Sequence, residues 1–310
     1  MKRELMSLTD EDLKKLQEKS LEMAKYVVSF CKERNIRVFL FAGSLLGAVR
    51  HNGFIPWDDD IDMDIPAPDF ERFVEAWEKE ADKERYSLCL QTKNYNDHTL
   101  SGSIRDNNTT FITDSTVDLD VNQGLAIDIE PLHACPRTKL GQRIQLILAA
   151  GRSLFKAERV PARQSKTVST AARIILGVFR TSGSRYFMWH TLEKLATRAD
   201  KKYEEAVYVR EFTRFPFITW LYPRKWYDSI EWVKFEDTEM PIPVGAKEYL
   251  TKRYGNYMEL PPEKDRHPEH RIVFMDLDTP YKAYRGKQDF IQESKLDYGR
   301  LKMQTDVREK

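Results

Sequence analysis

The sequence predicts an α+β fold, with helices flanking a mixed β-sheet and a basic helical insertion along the chain. Three patterns support this prediction. Apolar residues recur at helical spacing after Thr9, alternate at strand spacing over Asp60–Ile65, and recur at helical spacing again within 137–180. With 310 residues, of which 41% are hydrophobic, the chain is long enough for one large domain or two small ones.

Charge, cysteine content and hydropathy narrow the class of protein. The net charge is +1, so the overall charge does not point to nucleic acid or to acidic partners. Three widely spaced cysteines form neither a CxxC pair nor an even framework, which predicts reduced thiols. We expect no signal peptide, and no apolar run approaches the ~18 residues of a membrane-spanning helix. These patterns predict a cytoplasmic protein.

The predicted elements follow in chain order. Thr9 is the N-cap of a long amphipathic helix that ends near Asn35. A buried strand follows at Ile36–Ala42, and a short helix at Leu45–Arg50. The remaining predicted elements are a strand at Asp60–Ile65, a helix at Asp69–Lys79, strands near Tyr86–Gln91, Leu100–Arg105, Thr109–Ile112 and Leu125–Glu130, a helix at Ala246–Tyr254, and an irregular polar tail from Pro261.

The segment 137–180 differs in composition from the rest of the chain. It holds ten basic residues and one acid, with apolar residues at helical spacing. Two interpretations stay open: peripheral binding to the inner face of a membrane, and an ordinary helical subdomain with a solvated basic face. We therefore divide the chain into a core at 1–136, a basic helical subdomain at 137–215, and a part at 216–310 that completes the core domain.

Five carboxylates lie within seven positions, from Asp58 to Asp64. On a strand Asp60, Asp62 and Asp64 would share one face, because alternate side chains point the same way. Two carboxylates ~4 Å apart repel by about 4 kcal/mol at an effective dielectric near 20, so a cation is needed unless some stay protonated. Oxygen ligands favour Mg²⁺ or Mn²⁺. A calcium loop is disfavoured, because Ile65 stands where such a loop needs glycine.

A Gly43-Ser44 turn precedes these acids and follows a buried strand. Backbone N–H groups at a strand-to-helix turn can bind phosphate oxygens. Asp128, within the apolar run 125–130, is the best third acid, and Glu130 is the alternative. A phosphate-binding turn followed by two acids on one strand and a third on a later strand is typical of a nucleotidyltransferase-like fold.

Residues 41–62, FAGSLLGAVRHNGFIPWDDDID, closely resemble the signature of the LicD family of phosphotransferases, to which fukutin-related protein is an animal relative. The resemblance continues at 104–111, at 126–132 and along the tail from 241 to 270. It covers most of the chain outside the basic segment.

The resemblance implies transfer of a phospho-alcohol, such as phosphocholine, from a CDP-activated donor to a hydroxyl of a cell-surface glycan or its lipid-linked precursor, with release of CMP. Separately, the sequence contains no recognised nucleic-acid-binding module, so we expect no nucleic-acid partner. The implied site residues are Asp60, Asp62 and Asp128 for Mg²⁺ or Mn²⁺ and catalysis, and Gly43, Ser44, Arg50, Trp57 and Arg105 for the donor.

Several alternatives stay open at this stage. Arg50 and Arg105 could instead form structural ion pairs, and Trp57 could simply anchor its loop. Asp128 could complete the metal site or deprotonate the acceptor hydroxyl. The same fold would also suit nucleotidyl transfer or a non-catalytic binding relative, although all candidate metal acids are present.

Overall fold

A computed structural model describes residues 5–159, 166–213 and 217–287. Arg163 of the basic segment and positions 288–310 of the third predicted part lie outside the described residues. The α-helices are α1 (Asp10–Glu33), α2 (Ala42–His51), α3 (Ala67–Glu80), α4 (Lys139–Ala157), α5 (Lys166–Val178), α6 (Ser182–Ala196) and α7 (Ala246–Tyr254). The strands are β1 (Phe39–Leu40), β2 (Asp62–Pro66), β3 (Tyr86–Cys89), β4 (Gly102–Asp106), β5 (Thr110–Thr113), β6 (Leu125–Ala134), β7 (Tyr208–Glu211), β8 (Tyr222–Pro223), β9 (Ile230–Phe235), β10 (Thr238–Pro243) and β11 (Ile272–Asp276). Short 3₁₀ segments lie at Arg198–Glu205, Phe217–Thr219, Arg224–Tyr227, Glu263–Asp265 and Tyr281–Tyr284.

The described chain forms two compact units. The first comprises 5–89, 102–132 and 222–287, and the second comprises 90–101, 133–159, 166–213 and 217–221. The three-part division drawn from the sequence stays a prediction.

The first unit is built on a mixed sheet with the strand order β1-β2-β6-β4-β3. β2 and β6 are parallel, whereas β1 with β2, β6 with β4, and β4 with β3 are antiparallel. Ile65, Ile127 and Ile129 on its central strands are fully buried. Helices together with a mixed sheet confirm the predicted α+β class.

Local signals explain where the first helix begins and ends. The Thr9 side chain accepts a hydrogen bond from the Asp12 N–H, and the Asp12 carboxylate accepts one from the Thr9 N–H. This reciprocal pairing satisfies N–H groups that the first helical turn leaves unbonded. Asn35 has a φ of 52°, a left-handed conformation in which the helix cannot continue. The predicted α1 is confirmed.

Several predicted boundaries around the site differ from the structure. The strand expected at Ile36–Ala42 shortens to β1, and α2 begins at Ala42, because the Phe41 carbonyl already accepts the Leu45 N–H. Gly43 and Ser44 therefore lie in the first turn of α2. The helix expected from Asp69 begins at Ala67, and Pro68 lies in its first turn, where a missing N–H costs nothing.

The tail after Pro261 is less irregular than expected. Within it, β11 pairs antiparallel with β5, with Met275 opposite Phe111 and Asp276 opposite Thr110. The neighbouring N–H of Asp114 also donates to the carbonyl of Arg271. This pairing fixes the position of the residues that immediately precede β11.

In the second unit, α4, α5 and α6 pack around two apolar clusters. Phe155, Ala172, Leu176 and Trp189 form one cluster, and Ala149, Ala196, Phe212 and Ile218 form the other. No helix among the described residues combines the length and the apolar character needed to cross a membrane.

Candidate active site

Strand register brings the two predicted metal acids of neighbouring strands together. Asp62 on β2 is the register partner of Asp128 on the parallel β6, and Asp64 is likewise the partner of Glu130. Asp62 and Asp128 are half-buried, whereas Asp64 and Glu130 are almost fully buried. Because only the first pair reaches solvent, the geometry favours Asp128 over Glu130 as the third acid.

The N-terminus of α2 lies beside the start of β2. The Ser44 hydroxyl accepts a hydrogen bond of 2.9 Å from the Asp62 N–H, and the Phe41 N–H donates to the Asp62 carbonyl. A side chain at Gly43 would place its Cβ 2.9 Å from Oδ2 of Asp58. Glycine at this position thus leaves room for the Asp58 carboxylate beside the first turn of the helix.

The acids of this region repel one another in a poorly solvated place. Burial, followed by the charges of Asp62 and Asp59, raises the pKa of Asp58 to about 7. Burial and the neighbouring Asp58 raise the pKa of Asp60 well above its usual value. Burial, then Asp60 and Asp128, do the same to the pKa of Asp62. A group of carboxylates that resist ionisation together is suited to a bound cation.

One acid of the cluster is neutralised by the protein itself. Asp59 is buried, and its carboxylate accepts hydrogen bonds from the N–H groups of Glu269 and His270 and lies 3.2 Å from Nδ1 of His270. Burial alone would raise the pKa of Asp59, but its contacts with His270 and Glu269 leave that pKa below its usual value. Burial disfavours protonation of His270, but Asp59 and Asp60 together raise the pKa of its imidazole to about 10.

Comparison with known proteins places part of this site in a family. A family model described as "LicD/FKTN/FKRP, nucleotidyltransferase domain" matches residues 35–113. Over 260 residues, 81% of this chain and 92% of the relative, the chain is 27% identical to lipopolysaccharide cholinephosphotransferase LicD of Haemophilus influenzae. The chain carries a LicD-family domain. The predicted resemblance is therefore confirmed.

Other matches are shorter or weaker. The chain is 50% identical over 44 residues to ribitol 5-phosphate transferase FKRP of Homo sapiens, which covers 14% of this chain and 9% of that protein. The solved structure of the antibiotic-resistance factor ANT(2'')-Ia aligns over 61% of this chain and 99% of that chain, at 12% identity and a TM-score of 0.23. A TM-score of this size is too low to inform the fold.

The matched LicD-family segment holds β1, α2, β2, α3, β3, β4 and β5, and so contains the α2 turn and the Asp58–Asp62 loop. Asp128, Glu269 and His270 lie beyond it in sequence. The first unit of the fold brings both groups together through the pairing of β2 with β6 and through the contact of Asp59 with His270.

Two sets of residues could hold a metal in this domain. Asp59, Asp60 and His270 offer ligand atoms within 4.8 Å of one another. Without a metal, and against the effect of burial, the neighbouring carboxylates raise the pKa of His270 to about 10, and because a metal needs a neutral imidazole, binding at this set would release a proton. Asp60, Asp62 and Asp128 form the second set, and Asp60 belongs to both sets because its Oδ2 lies 3.9 Å from Nδ1 of His270. The assignment of Asp60, Asp62 and Asp128 as the metal ligands stays a prediction.

The residues predicted to contact the donor have structural partners of their own. Arg50 donates to Nε2 of His51 at 2.9 Å and to the carbonyl of Tyr257 at 2.9 Å. Arg105 is buried and donates to the carbonyl of Gly124 at 3.0 Å. Trp57 lies 5.6 Å from the guanidinium of Arg266. Their roles toward a donor stay predictions.

Sequence reasoning missed two residues near the acids. One is His270, which contacts Asp59 in the acidic loop. The other is Tyr254: burial raises the pKa of its hydroxyl, and the charges of Asp62 and Asp58 raise it further. The resemblance ran as far as His270, but nothing in the local pattern linked that residue to Asp59. The spacing that predicted α7 placed Tyr254 at its last turn without indicating which elements that end of the helix would face.

Proposed function

We propose that this protein transfers a phospho-alcohol, such as phosphocholine, from a CDP-activated donor to a hydroxyl of a cell-surface glycan or its lipid-linked precursor, and that CMP is released. The observation that carries the proposal is the register pairing of Asp62 with Asp128, beside the N-terminus of α2. Acids that can bind a cation and N–H groups that can bind phosphate thus lie next to each other. The arrangement supports a nucleotidyltransferase-like core.

The donor set fits a hard divalent ion. Asp60, Asp62 and Asp128 would hold Mg²⁺ or Mn²⁺, because carboxylate oxygens are the ligands these ions prefer and because burial and mutual repulsion raise the pKa values of Asp60 and Asp62, an effect that a bound cation would relieve. When bound, such an ion neutralises charge on the donor phosphates.

The side chains and backbone supply positioning and proton transfer. The N–H groups of Gly43 and Ser44, at the positive end of α2, orient the diphosphate of the donor. The acceptor hydroxyl oxygen attacks the phosphorus that carries the alcohol, the bond from that phosphorus to the bridging oxygen breaks, and CMP departs. Asp128 takes the hydroxyl proton or completes the metal site. Phosphoryl-type transfer depends mainly on such positioning and charge stabilisation.

The names of two relatives guide the choice of alcohols to test. One is a cholinephosphotransferase and another a ribitol 5-phosphate transferase by name. We therefore propose a panel of CDP-choline, CDP-ribitol and CDP-glycerol, each with and without Mg²⁺, in a thermal-shift experiment. The true donor should raise the melting temperature only when the metal is present, through ligand linkage. An unchanged melting temperature with every member would contradict the donor class.

The leaving group decides between the chemistries that this fold permits. Turnover of the bound donor with an acceptor glycan should release CMP in amounts equal to the transferred phospho-alcohol. Release of pyrophosphate from a nucleoside triphosphate would instead identify nucleotidyl transfer, and metal-dependent binding without any product would identify a binding relative. Asp62→Asn should abolish turnover, while Glu71→Gln, an exposed acid on α3, serves as the control with the same charge change.

A further inference from the structure

Helix α4 leaves a row of apolar side chains outside the core of its own unit. Leu140, Ile144 and Ile147 are 69%, 49% and 71% exposed, respectively. Their spacing of four and then three residues places them along one face of the helix. The opposite face is buried, where Ala149 joins an apolar cluster and Gln145 donates to the carbonyls of Ala134 and Ala196. The packing of α4 is thus complete without its outer row.

Helix α5 repeats the arrangement. Its inner residues Ala172 and Leu176 are buried against Phe155 and Trp189. Ile174 and Val178, on the outer side, are 63% and 71% exposed. Isolated exposed apolar residues need no explanation, but two helices of one unit each present an aliphatic row. We call the residues Leu140, Ile144, Ile147, Ile174 and Val178 the outer apolar face.

Exposed positive charge accompanies the outer apolar face. Lys139 and Arg143 are exposed on α4, and Arg173 is exposed on α5. The one acid within 137–180 is Glu158, and it is occupied by a 2.5 Å ion pair with Arg185 in which both side chains are largely buried. Along these two helices the surface is therefore cationic as well as apolar.

We propose that the outer apolar face, together with Lys139, Arg143 and Arg173, binds the surface of an anionic lipid bilayer. Charge complementarity selects this occupant. A helix with aliphatic residues on its exposed face and basic residues beside them inserts the former among acyl chains and places the latter at anionic headgroups. Contact of this kind is peripheral. It would bring the enzyme to a lipid-linked acceptor, but the inference stands on the helices alone and does not depend on the proposed reaction.

Flotation of the full chain with vesicles tests the apolar part of the proposal. Vesicles of phosphatidylglycerol and phosphatidylcholine should carry the parent protein, and the double variant Leu140→Gln/Ile147→Gln should bind them at least about tenfold more weakly. Glutamine keeps a good helix propensity, and circular dichroism checks that the fold is retained. The matched control is Val207→Gln/Val244→Gln, two exposed valines outside the face, which should bind like the parent.

A second pair of variants tests the electrostatic part. Lys139→Gln/Arg143→Gln should weaken binding to phosphatidylglycerol vesicles, and added salt should then have less effect, because screening acts on exposed charges. Lys234→Gln/Lys247→Gln, with the same change in charge, should leave binding unaltered. Failure of the parent to float with the vesicles that contain phosphatidylglycerol would overturn the proposal. So would equal binding to pure phosphatidylcholine, or self-association without lipid that the Leu140→Gln/Ile147→Gln variant abolishes, which would make a second copy the occupant.

Discussion

Asp59 and His270 are joined through both the backbone and the side chain of the histidine. The Asp59 carboxylate accepts from the His270 N–H at 3.1 Å, and its other oxygen lies 3.2 Å from the imidazole Nδ1. His270 precedes β11, which is itself paired with β5. Asp59 precedes Asp60, one of the proposed metal ligands. The contact therefore fastens the segment before β11 to the loop that carries the metal acids, and makes Asp59 a positioning residue.

Replacing Asp59 by Asn should loosen this attachment. The amide would keep one acceptor but would point a donor at an N–H group, and His270 would lose its counter-charge. Loss of a buried, charge-assisted set of hydrogen bonds costs about 2–4 kcal/mol. We expect a lower free energy of unfolding in urea and faster hydrogen exchange of the amides of 269–276.

The adjacent ion pair provides the control. Arg271 donates to Asp114 at 2.5 Å, but both side chains are substantially exposed. Asp114→Asn should therefore change the free energy of unfolding by no more than about 1 kcal/mol. Equal effects of the two substitutions, or unchanged exchange in the Asp59 variant, would show that Asp59 does not hold the segment.

The proposed metal ligands can be tested without substrate, through the melting temperature of the protein with and without Mg²⁺. Because burial and the charges of Asp60 and Asp128 disfavour ionised Asp62, Asp62→Asn should raise the melting temperature of the metal-free protein by a few degrees. Addition of Mg²⁺ should raise the melting temperature of the parent but not of the variant. Glu71→Gln should respond to Mg²⁺ like the parent. A parent protein insensitive to both Mg²⁺ and Mn²⁺ would refute the assignment.

Features of this site that depend on contacts between residues close in sequence could be predicted, and features that depend on contacts between distant residues could not. Thr9 marks the start of α1 and Gly255 the end of α7, in both cases through contacts made within one helical turn. Both helices lie where they were expected. Alternation of acids and apolar residues similarly predicted β2, although Asp60 lies in the loop before it. The position of His270 could not be predicted, because it depends on the pairing of β11 with β5, which lies far away in sequence.

Gly47 should be far less tolerant of a side chain than a glycine in open space. A Cβ at Gly47 would lie 2.5 Å from the carbonyl oxygen of Gly53 and 3.1 Å from the backbone nitrogen of Ile55. Because these are backbone atoms, the loop that leads to the acids must shift, and we expect Gly47→Ala to lower the free energy of unfolding by about 1–3 kcal/mol. Gly177→Ala, in α5 with no atom within 4 Å, should raise it by up to about 1 kcal/mol. Similar effects of both substitutions would contradict this account of the α2 loop.

His98 should make stability depend on pH between about 4 and 6.5. Burial, reinforced by the charge of Arg159, lowers its pKa to about 4, and its Nδ1 is buried without a hydrogen-bond partner among the described residues. An unfolded histidine has a pKa near 6.5 and so takes up a proton first as the pH falls. The contribution of His98 to the free energy of unfolding is thus complete above about pH 6.5, is lost progressively toward pH 4, and amounts to about 2–3 kcal/mol.

His98→Asn should reduce the change in the free energy of unfolding between pH 7.5 and pH 4 by this amount, as measured by urea unfolding. Asparagine is suitable because it tolerates the local φ of 61°. His190→Gln, at an exposed position of α6, should leave the dependence unchanged, and a His98→Asn profile parallel to that of the parent would exclude His98 as its source.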